Sequence, residues 1–511
     1  MNLIVAIDSK GGISKNGMIP WKYQYDINFF VDVTKRNNTG SNVLIMGRNT
    51  FQSLPTIGLE QRIVIIVSST LTKIPETKNE IHITKTFDEA IQLAKQYDGE
   101  IYICGGRQIY VEALKRKLIR IYITRINEDY NCDNFFPVIN KFPPLIFERV
   151  IDRLTFQIYS DYMYRITDEI GYLDLMYDTI SRGHYRKTRN ANTWSQFGRR
   201  LEFDLGKGFP LLTTKKMFLK GVFEELMFFI RGQTDAKYLS DRGVKIWEAN
   251  TSRQFLDSVG LNEYEVGDMG TLYSFNLTHY GAKYQGMNAN YEGEGINQFE
   301  ACLNLIKKDP YSRRILLTAF NPANVCEGPL YPCHTIIGQW YVTGDNRLDY
   351  CVYNRSQDLF LGTPFNICSS ALLMHFFCHI LNNDPEFQIK FESICPTIPV
   401  SNHPLDSEPI ISLQETSSSA RRAPVAPALP THPKDEKIRR ILPGRLIMDL
   451  GDVHVYEDHL EQAMRQILRE PYPFPQLNIK RSATRLTEFQ FDDIEIVDYR
   501  CMPPIKASMI A

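Results

Sequence analysis

Cys104-Gly105-Gly106-Arg107-Gln108-Ile109-Tyr110 leaves a β-branched and aromatic run at 100–104 and turns on two glycines into a helical pattern. Met46-Gly47-Arg48-Asn49-Thr50 repeats that layout after the apolar run 43–46. Other strand-like runs fall at 3–7, 62–68, 80–84, 120–126 and 154–165. Between them lies a helical pattern at 87–97, opened by Thr86 with Glu89 three residues on, a capping-box signature. Strand and helix in alternation predict an α/β sheet, mostly parallel and twisted, with helices on its flanks. Backbone N–H groups at a helix start, beside Arg48, suit a phosphate, and Ser68-Ser69 adds hydroxyl donors at the end of another strand. An ordinary strand–helix connection has the same texture, so the glycine turns alone decide no ligand.

Beyond residue 167 the texture changes. Leu173, Met176, Tyr177 and Ile180 fall at helical spacing, and 218–230 and 367–381 are long, mostly apolar stretches. Strand-like runs follow at 315–320, 336–342 and 347–352. This predicts a second, larger α+β domain over 168–511, after a first domain over 1–167. Residues 384–438, rich in Pro, Ser and Thr, stand out as a surface excursion within it. Lengthening a loop from about 5 to about 57 residues costs only ~2 kcal/mol of closure entropy, so the fold tolerates it.

The 511 residues give room for two or more domains. Lys+Arg is 58 against Asp+Glu 59, a net charge of −1, which argues against a nucleic-acid or membrane-surface binder. No run of 18 apolar residues occurs, so no membrane-crossing helix is expected. The run at 3–7, stopped by Asp8, is too short for a secretory leader. Ten cysteines without a Cys-x-x-Cys pair point to reduced thiols in a cytoplasmic setting and to no metal site.

Asp26 is an acid in an aromatic, apolar stretch with Pro20, Trp21, Tyr23, Tyr25, Ile27, Phe29 and Phe30. Burial there would raise its pKa and make it a proton relay, though an Asp at this place also reads as a helix cap. The order of Ala6, Gly17-Met18-Ile19-Pro20-Trp21, Asp26, Met46-Gly47-Arg48 with Thr50-Phe51, Ser53-Leu54-Pro55, Arg62, Gly105-Gly106 with Tyr110, and Thr124 resembles dihydrofolate reductase over residues 1–166. The resemblance implies that Asp26 helps deliver a proton to N5 of the pterin while NADPH supplies the hydride to C6. It implies a folate pocket of Val5, Ala6, Asp26, Phe30, Ser53, Leu54, Arg62, Cys104, Tyr110 and Thr124, with Arg62 on the glutamate α-carboxylate. It assigns NADPH to Ala6, Ser14, Gly17, Gly47, Arg48, Asn49, Thr50, Ser68, Ser69, Gly105, Gly106, Gln108 and Ile109. The family also has a cis peptide in its Gly-Gly turn. Antifolate response would change most readily at Thr50 and Cys104.

Pro332-Cys333-His334 offers a cysteine nucleophile, with Arg313-Arg314 and Arg355 as cations that lower a thiol pKa. An inert buried cysteine is the commoner fate of a free thiol. The surrounding text decides. Gly208-Phe209-Pro210-Leu211-Leu212-Thr213-Thr214-Lys215, Asp309-Pro310, Asn321-Pro322, the run Arg355-Ser356-Gln357-Asp358-Leu359-Phe360-Leu361-Gly362-Thr363-Pro364-Phe365-Asn366, and Gly451-Asp452-Val453-His454-Val455-Tyr456 are similar to thymidylate synthase. That resemblance implies attack by Cys333 on C6 of dUMP and a methylene taken from methylenetetrahydrofolate, which leaves as dihydrofolate. Arg189, Arg355 and Ser356 would hold the nucleotide phosphate, with Arg313 and Arg314 reaching over from a second subunit of a homodimer. His334, Asp358 and Asn366 belong to the dUMP set, His454 and Tyr456 to its ribose, and Glu225 and Tyr273 order water for proton transfer. The family tail folds over the bound folate; here it ends Met509-Ile510-Ala511. Departures are the loop 187–193, which lacks glycines, Asn354 for the usual Gln, Phe228 for a Trp, and 273–277 without the usual Gln-Trp-Arg.

A reductase half before a synthase half resembles the bifunctional chains of protozoa. Two other readings stay open at this stage: one half is a non-catalytic dimerisation or ligand-binding scaffold, or the chain is an RNA-binding regulator on an enzyme fold. Lysines 73, 78, 215 and 216 would offer a surface path for anionic dihydrofolate.

Overall fold

Parallel strands need crossover connections, and here helices supply most of them. The computed structural model describes every residue except 37–40, 55–58, 74–78, 140–141, 162–166, 189–190, 388–439 and 510–511. The first sheet contains β1 (Asn2–Ile7), β3 (Asn42–Gly47), β4 (Arg62–Val67), β5 (Ile81–Thr84), β6 (Ile101–Gly105), β7 (Arg120–Ile126), β9 (Leu145–Ile151) and β10 (Leu154–Tyr159), and a small ribbon pairs β2 (Gly12–Ser14) with β8 (Asn134–Phe135). Its order is β5-β4-β3-β6-β1-β7-β10-β9. The neighbours from β5 to β7 run parallel, and β10 and β9 close the edge antiparallel. Near-continuous β-branched runs suit this, because the central strands are covered on both faces. One core holds Leu44, Met46, Val64 and Ile66; the other holds Val43, Ile45, Ile63 and Ile65. Thr86 and Glu89 form the expected capping box, on a helix that spans Phe87–Ala94.

The second sheet runs β11 (His184–Lys187), β12 (Asn192–Asp204), β16 (Leu442–Tyr456), β15 (Arg347–Asp358), β14 (Ile337–Val342), β13 (Leu316–Leu317), and β17 (Gln476–Ile479) pairs with β18 (Ile494–Val497) apart from it. Against one face pack the helices Glu169–Arg182, Leu219–Ile230 and Gly362–Asn382. The last is long and apolar enough to cross a membrane, contrary to the expectation of none; two-thirds of its apolar window is buried in the fold, as a core helix is. Cys368, Phe376 and Phe377 are among its buried side chains.

Several expectations need correction. The strand expected at 154–165 ends at Tyr159, and its last residues lie outside the described ones. The run at 315–320 contributes only Leu316–Leu317. Neither β12 nor β16 is legible in the sequence, for both break their apolar residues with charged ones (Arg199, Arg200 and Glu202; Arg445, Asp449 and Asp452) and with glycines. Lys215 is buried, with its ammonium on the Phe360 carbonyl, so it cannot line a surface path; Lys78 lies outside the described residues.

The two sheets meet through a reciprocal clamp. Asp32, on the helix Gln24–Thr34, accepts two bonds each from Arg465 (2.8 and 2.9 Å) and Arg469 (3.0 and 3.3 Å). Glu470 in turn takes Arg36, Arg120 (2.9 Å) and the Tyr122 hydroxyl (3.2 Å). Burial alone would raise the Asp32 carboxyl; the two guanidiniums overturn that and hold it below the usual carboxylate range. At the far end of the second sheet, Asn382 binds Ile441 both ways, its amide donating to the carbonyl and its oxygen accepting the N–H, each at 2.9 Å.

Candidate active sites

The first cleft opens at the C-terminal ends of β1, β3, β4 and β6, the usual ligand position in an open α/β sheet. Asp26 stands in the first turn of the helix Gln24–Thr34, whose N-cap is Tyr23, so Asp26 is not the cap. Burial pushes its carboxyl up to about 6, opposed by a hydrogen bond with Thr124. Thr124 lies on β7 directly beside Ala6 of β1. The Tyr110 hydroxyl donates to the Ile4 carbonyl at 2.9 Å and so ties the helix after the glycine turn to β1, next to Val5.

Phe30 follows Asp26 by one helical turn, on the same face. The Arg62 guanidinium lies 5.9 Å from its ring centroid and donates to the Thr34 hydroxyl. Its Nε and Nη2 are buried with no acceptor among the described residues. Buried N–H groups rarely stay unpaired. A ligand carboxylate would satisfy both. Leu54 and Ser53 end the helix Arg48–Ser53, and the Cys104 thiol is buried against the Tyr102 carbonyl.

The glycine turns touch one another. The Gly105–Gly106 peptide is cis, as the resemblance implied. A Cβ on Gly105 would lie 2.9 Å from the Tyr110 ring, one on Gly106 3.3 Å from the Thr50 hydroxyl, and one on Gly47 3.7 Å from the Gly106 nitrogen. Helices Arg48–Ser53 and Arg107–Leu114 both start there, with Asn49 and Gln108 exposed and Ile109 buried. Arg48 donates to Thr70 at 2.8 Å, and Ser68 accepts the Thr70 and Leu71 N–H groups beside exposed Ser69. Ser14 and Gly17 stand apart, on β2 and its exposed turn.

In the second cleft, β15 clasps the cysteine loop from both sides. Ser356 donates its N–H to the Cys333 carbonyl (3.1 Å), and Asn354 accepts that of Thr335 (2.8 Å). Arg355, between them, donates to the carbonyls of Pro332 (3.1 Å) and Tyr331 (3.3 Å) and sets Nη2 3.5 Å from the Cys333 sulfur. Burial pushes the Cys333 thiol up, while Arg355 and a Tyr273 hydrogen bond oppose it. Of the cations expected to lower this pKa, Arg355 acts on the thiol but offsets burial only in part. The Tyr273 hydroxyl accepts the Cys333 N–H at 2.6 Å. His334 stacks on the Tyr273 ring at 4.2 Å, and burial drags it down to about 4, so it is neutral at pH 7.

Glu225, buried on the helix Leu219–Ile230, is pushed up to about 7 by burial, against an opposing bond from Trp247 Nε1 at 2.9 Å. Asn366 donates to Gln357 (3.2 Å), and Asp358 caps the Phe360 and Leu361 N–H groups. Asp358 is in register with His454 across parallel β15 and β16. His454 Nδ1 lies 2.9 Å from Asp452, and its ring centroid 5.1 Å from that of Tyr456. Arg313 and Arg314 are exposed before β13, outside this clasp; Arg189 lies outside the described residues. Phe228, in the usual place of a Trp, packs fully buried against Phe229 and Tyr238. Trp247 and Thr34 escaped the sequence reading, and Gln357 and Asp452 stood in its motifs without a role. Each acts by orienting a named site residue, and three of these four bonds link different elements, which local spacing does not reveal.

A mostly parallel sheet with two touching glycine turns, an arginine and a half-buried acid at its strand ends, and a second site built on a clasped thiol, together define a two-centre enzyme. Family models agree: residues 1–147 match dihydrofolate reductase, and 170–392 with 437–511 match thymidylate synthase. Chains called bifunctional dihydrofolate reductase-thymidylate synthase are similar end to end. That of Paramecium tetraurelia is 31% identical, covering 99% of this chain and 98% of its own length. That of Leishmania amazonensis is 33% identical, covering 99% and 94%, and one from Arabidopsis thaliana is 31% identical, covering 97% and 93%. This chain belongs to the bifunctional dihydrofolate reductase–thymidylate synthase family.

Proposed function

We propose that this chain performs two consecutive reactions. At the Cys333 cleft dUMP is methylated to dTMP by 5,10-methylenetetrahydrofolate; at the Asp26 cleft the dihydrofolate so formed is reduced to tetrahydrofolate with NADPH. The observation that carries the reading is the Cys333 sulfur held 3.5 Å from the Arg355 guanidinium, on a chain that also holds half-buried Asp26 in a hydrogen bond with Thr124.

In the synthase, the Cys333 sulfur attacks C6 of the uracil ring and makes C5 nucleophilic toward the folate methylene. Arg355 stabilises the developing thiolate and, with Ser356 and Arg189, grips the nucleotide phosphate. Glu225, near half-protonated at neutral pH, exchanges protons through water at C4 and C5, and Tyr273 orders that water. Asn366, Asp358 and His334 line the base, and His454 and Tyr456 hold the ribose. The tail after Cys501 closes over the folate.

Arg313 and Arg314 complete the phosphate site of a partner subunit. Support comes from the uncovered face of the second sheet. Phe197 (77% exposed), Tyr341 (63%), Ile337 and Tyr353 lie open there, an apolar face of the kind that marks a subunit contact. Both clefts retain their reacting groups, which weighs against a non-catalytic half. The reductase unit comprises residues 1–167 and the synthase unit 168–511, with the excursion at 384–438, working in the cytoplasm where thiols stay reduced.

In the reductase, NADPH supplies a hydride. The fit is local: the glycine turns leave no room for a Cβ against Tyr110, and Arg48, which lies beside Thr70, would with Ser68 and Ser69 hold the 2′-phosphate. Asp26 holds the proton destined for N5, and Arg62 takes the glutamate α-carboxylate. Arg62→Gln should raise the KM for dihydrofolate roughly 10–100-fold, as expected for losing a charge-assisted fork, with the KM for NADPH unchanged. An unchanged dihydrofolate KM would refute the role of Arg62. The whole reading is tested in one tube with dUMP, methylenetetrahydrofolate and NADPH. One NADPH should be oxidised per dTMP formed; dTMP formed without NADPH oxidation would mean an inactive reductase half.

A further inference from the structure

Arg469 touches three parts of the molecule at once. Its Nε and Nη2 face Asp32 of the reductase unit, while its Nη1 donates to the carbonyls of Thr214 and Pro503, both at 2.7 Å. Pro503 belongs to the C-terminal tail. The next residue upstream, Met502, donates its N–H to the Thr213 carbonyl at 2.7 Å. Thr213 and Thr214 are themselves fixed by backbone and hydroxyl bonds to buried Glu169. The Arg469 side chain is 1% exposed, so no water replaces a lost partner. On the reductase side the clamp grips the helix that carries Asp26, through Asp32, and the strand that carries Thr124, through Arg120.

We propose that Asp32 is a positioning residue for the synthase reaction. Although it lies in the reductase unit, it aims the Arg469 guanidinium that holds the synthase tail and the Thr213–Thr214 turn in place for folate closure. The inference rests on the reading above that this tail covers the folate. Arg465 is the internal control, because it binds the same carboxylate and, among the described residues, makes no hydrogen bond to the tail.

The test uses the full chain. Asp32→Asn should raise the synthase KM for methylenetetrahydrofolate about three- to tenfold, the scale of coupling across a packed network, leaving the KM for dUMP unchanged. Amide hydrogen exchange at Met502 should quicken in the same protein, without ligand. Arg465→Gln should do neither. Equal effects from both substitutions would reduce the clamp to general stability and overturn the inference; so would no effect from Asp32→Asn. Should Asp32→Asn not fold, Asp32→Glu keeps the charge but moves the carboxylate off the fork. Unchanged exchange at Met502 with an unchanged folate KM then overturns the inference, and a rise in both supports it. Wild-type protein that makes no dTMP would instead sink the reading of function itself.

Discussion

Cys333→Ser should abolish dTMP formation, with an expected loss of about 10⁴-fold or more, while NADPH oxidation on added dihydrofolate should stay within about twofold of wild type. The reason is chemical and local. A serine hydroxyl in the same clasp keeps every backbone bond of the loop, but it does not ionise beside Arg355 and is a far weaker nucleophile. The reductase cleft sits on a different sheet and shares no side chain with the loop. The same variant also tests subunit sharing. When Cys333→Ser chains are dissociated and reassembled with chains carrying Arg313→Gln and Arg314→Gln, half of the proposed dimers should be mixed, and each mixed dimer would have one site with cysteine and both arginines. Synthase activity should then return to about a quarter of wild type. No recovery would mean that the arginines serve their own subunit.

Asp26→Asn should lower reductase kcat by about 10²–10³-fold, the scale of a lost general acid. The pH profile is the sharper reading. The carboxyl must be protonated to give its proton, and burial puts its pKa at about 6. The wild-type rate should therefore fall by about tenfold per pH unit above that value, and the Asp26→Asn rate should be flat over the same range. A variant that keeps the wild-type slope would show that the titrating group lies elsewhere.

Much of both clefts is legible in the sequence because each reacting residue sits within a short local pattern. Gly47 and Gly105-Gly106 mark where strands hand over to helices, and the Arg355 to Asn366 run carries its own strand end, turn and helix start. Asp26 announced its raised pKa through its aromatic neighbours. What stayed hidden is non-local. β12 pairs with β16 across some 250 residues of sequence, and its charged residues and glycine read as loop. Trp247 reaches Glu225, and Arg469 reaches Asp32, from elements whose own texture gives no hint of the partner. The Cys333 thiol shows the same limit: the cations were visible in the sequence, but the burial that opposes them was not.

The two-way clasp between Asn382 and Ile441 has a consequence for how such chains change over generations. It welds the rims of the Pro/Ser-rich excursion together, so whatever is threaded between them hangs from a closed ring. Because added length costs only the logarithm of its size, that stretch is an open socket. Sequence spliced between these joined ends should therefore leave both activities unchanged.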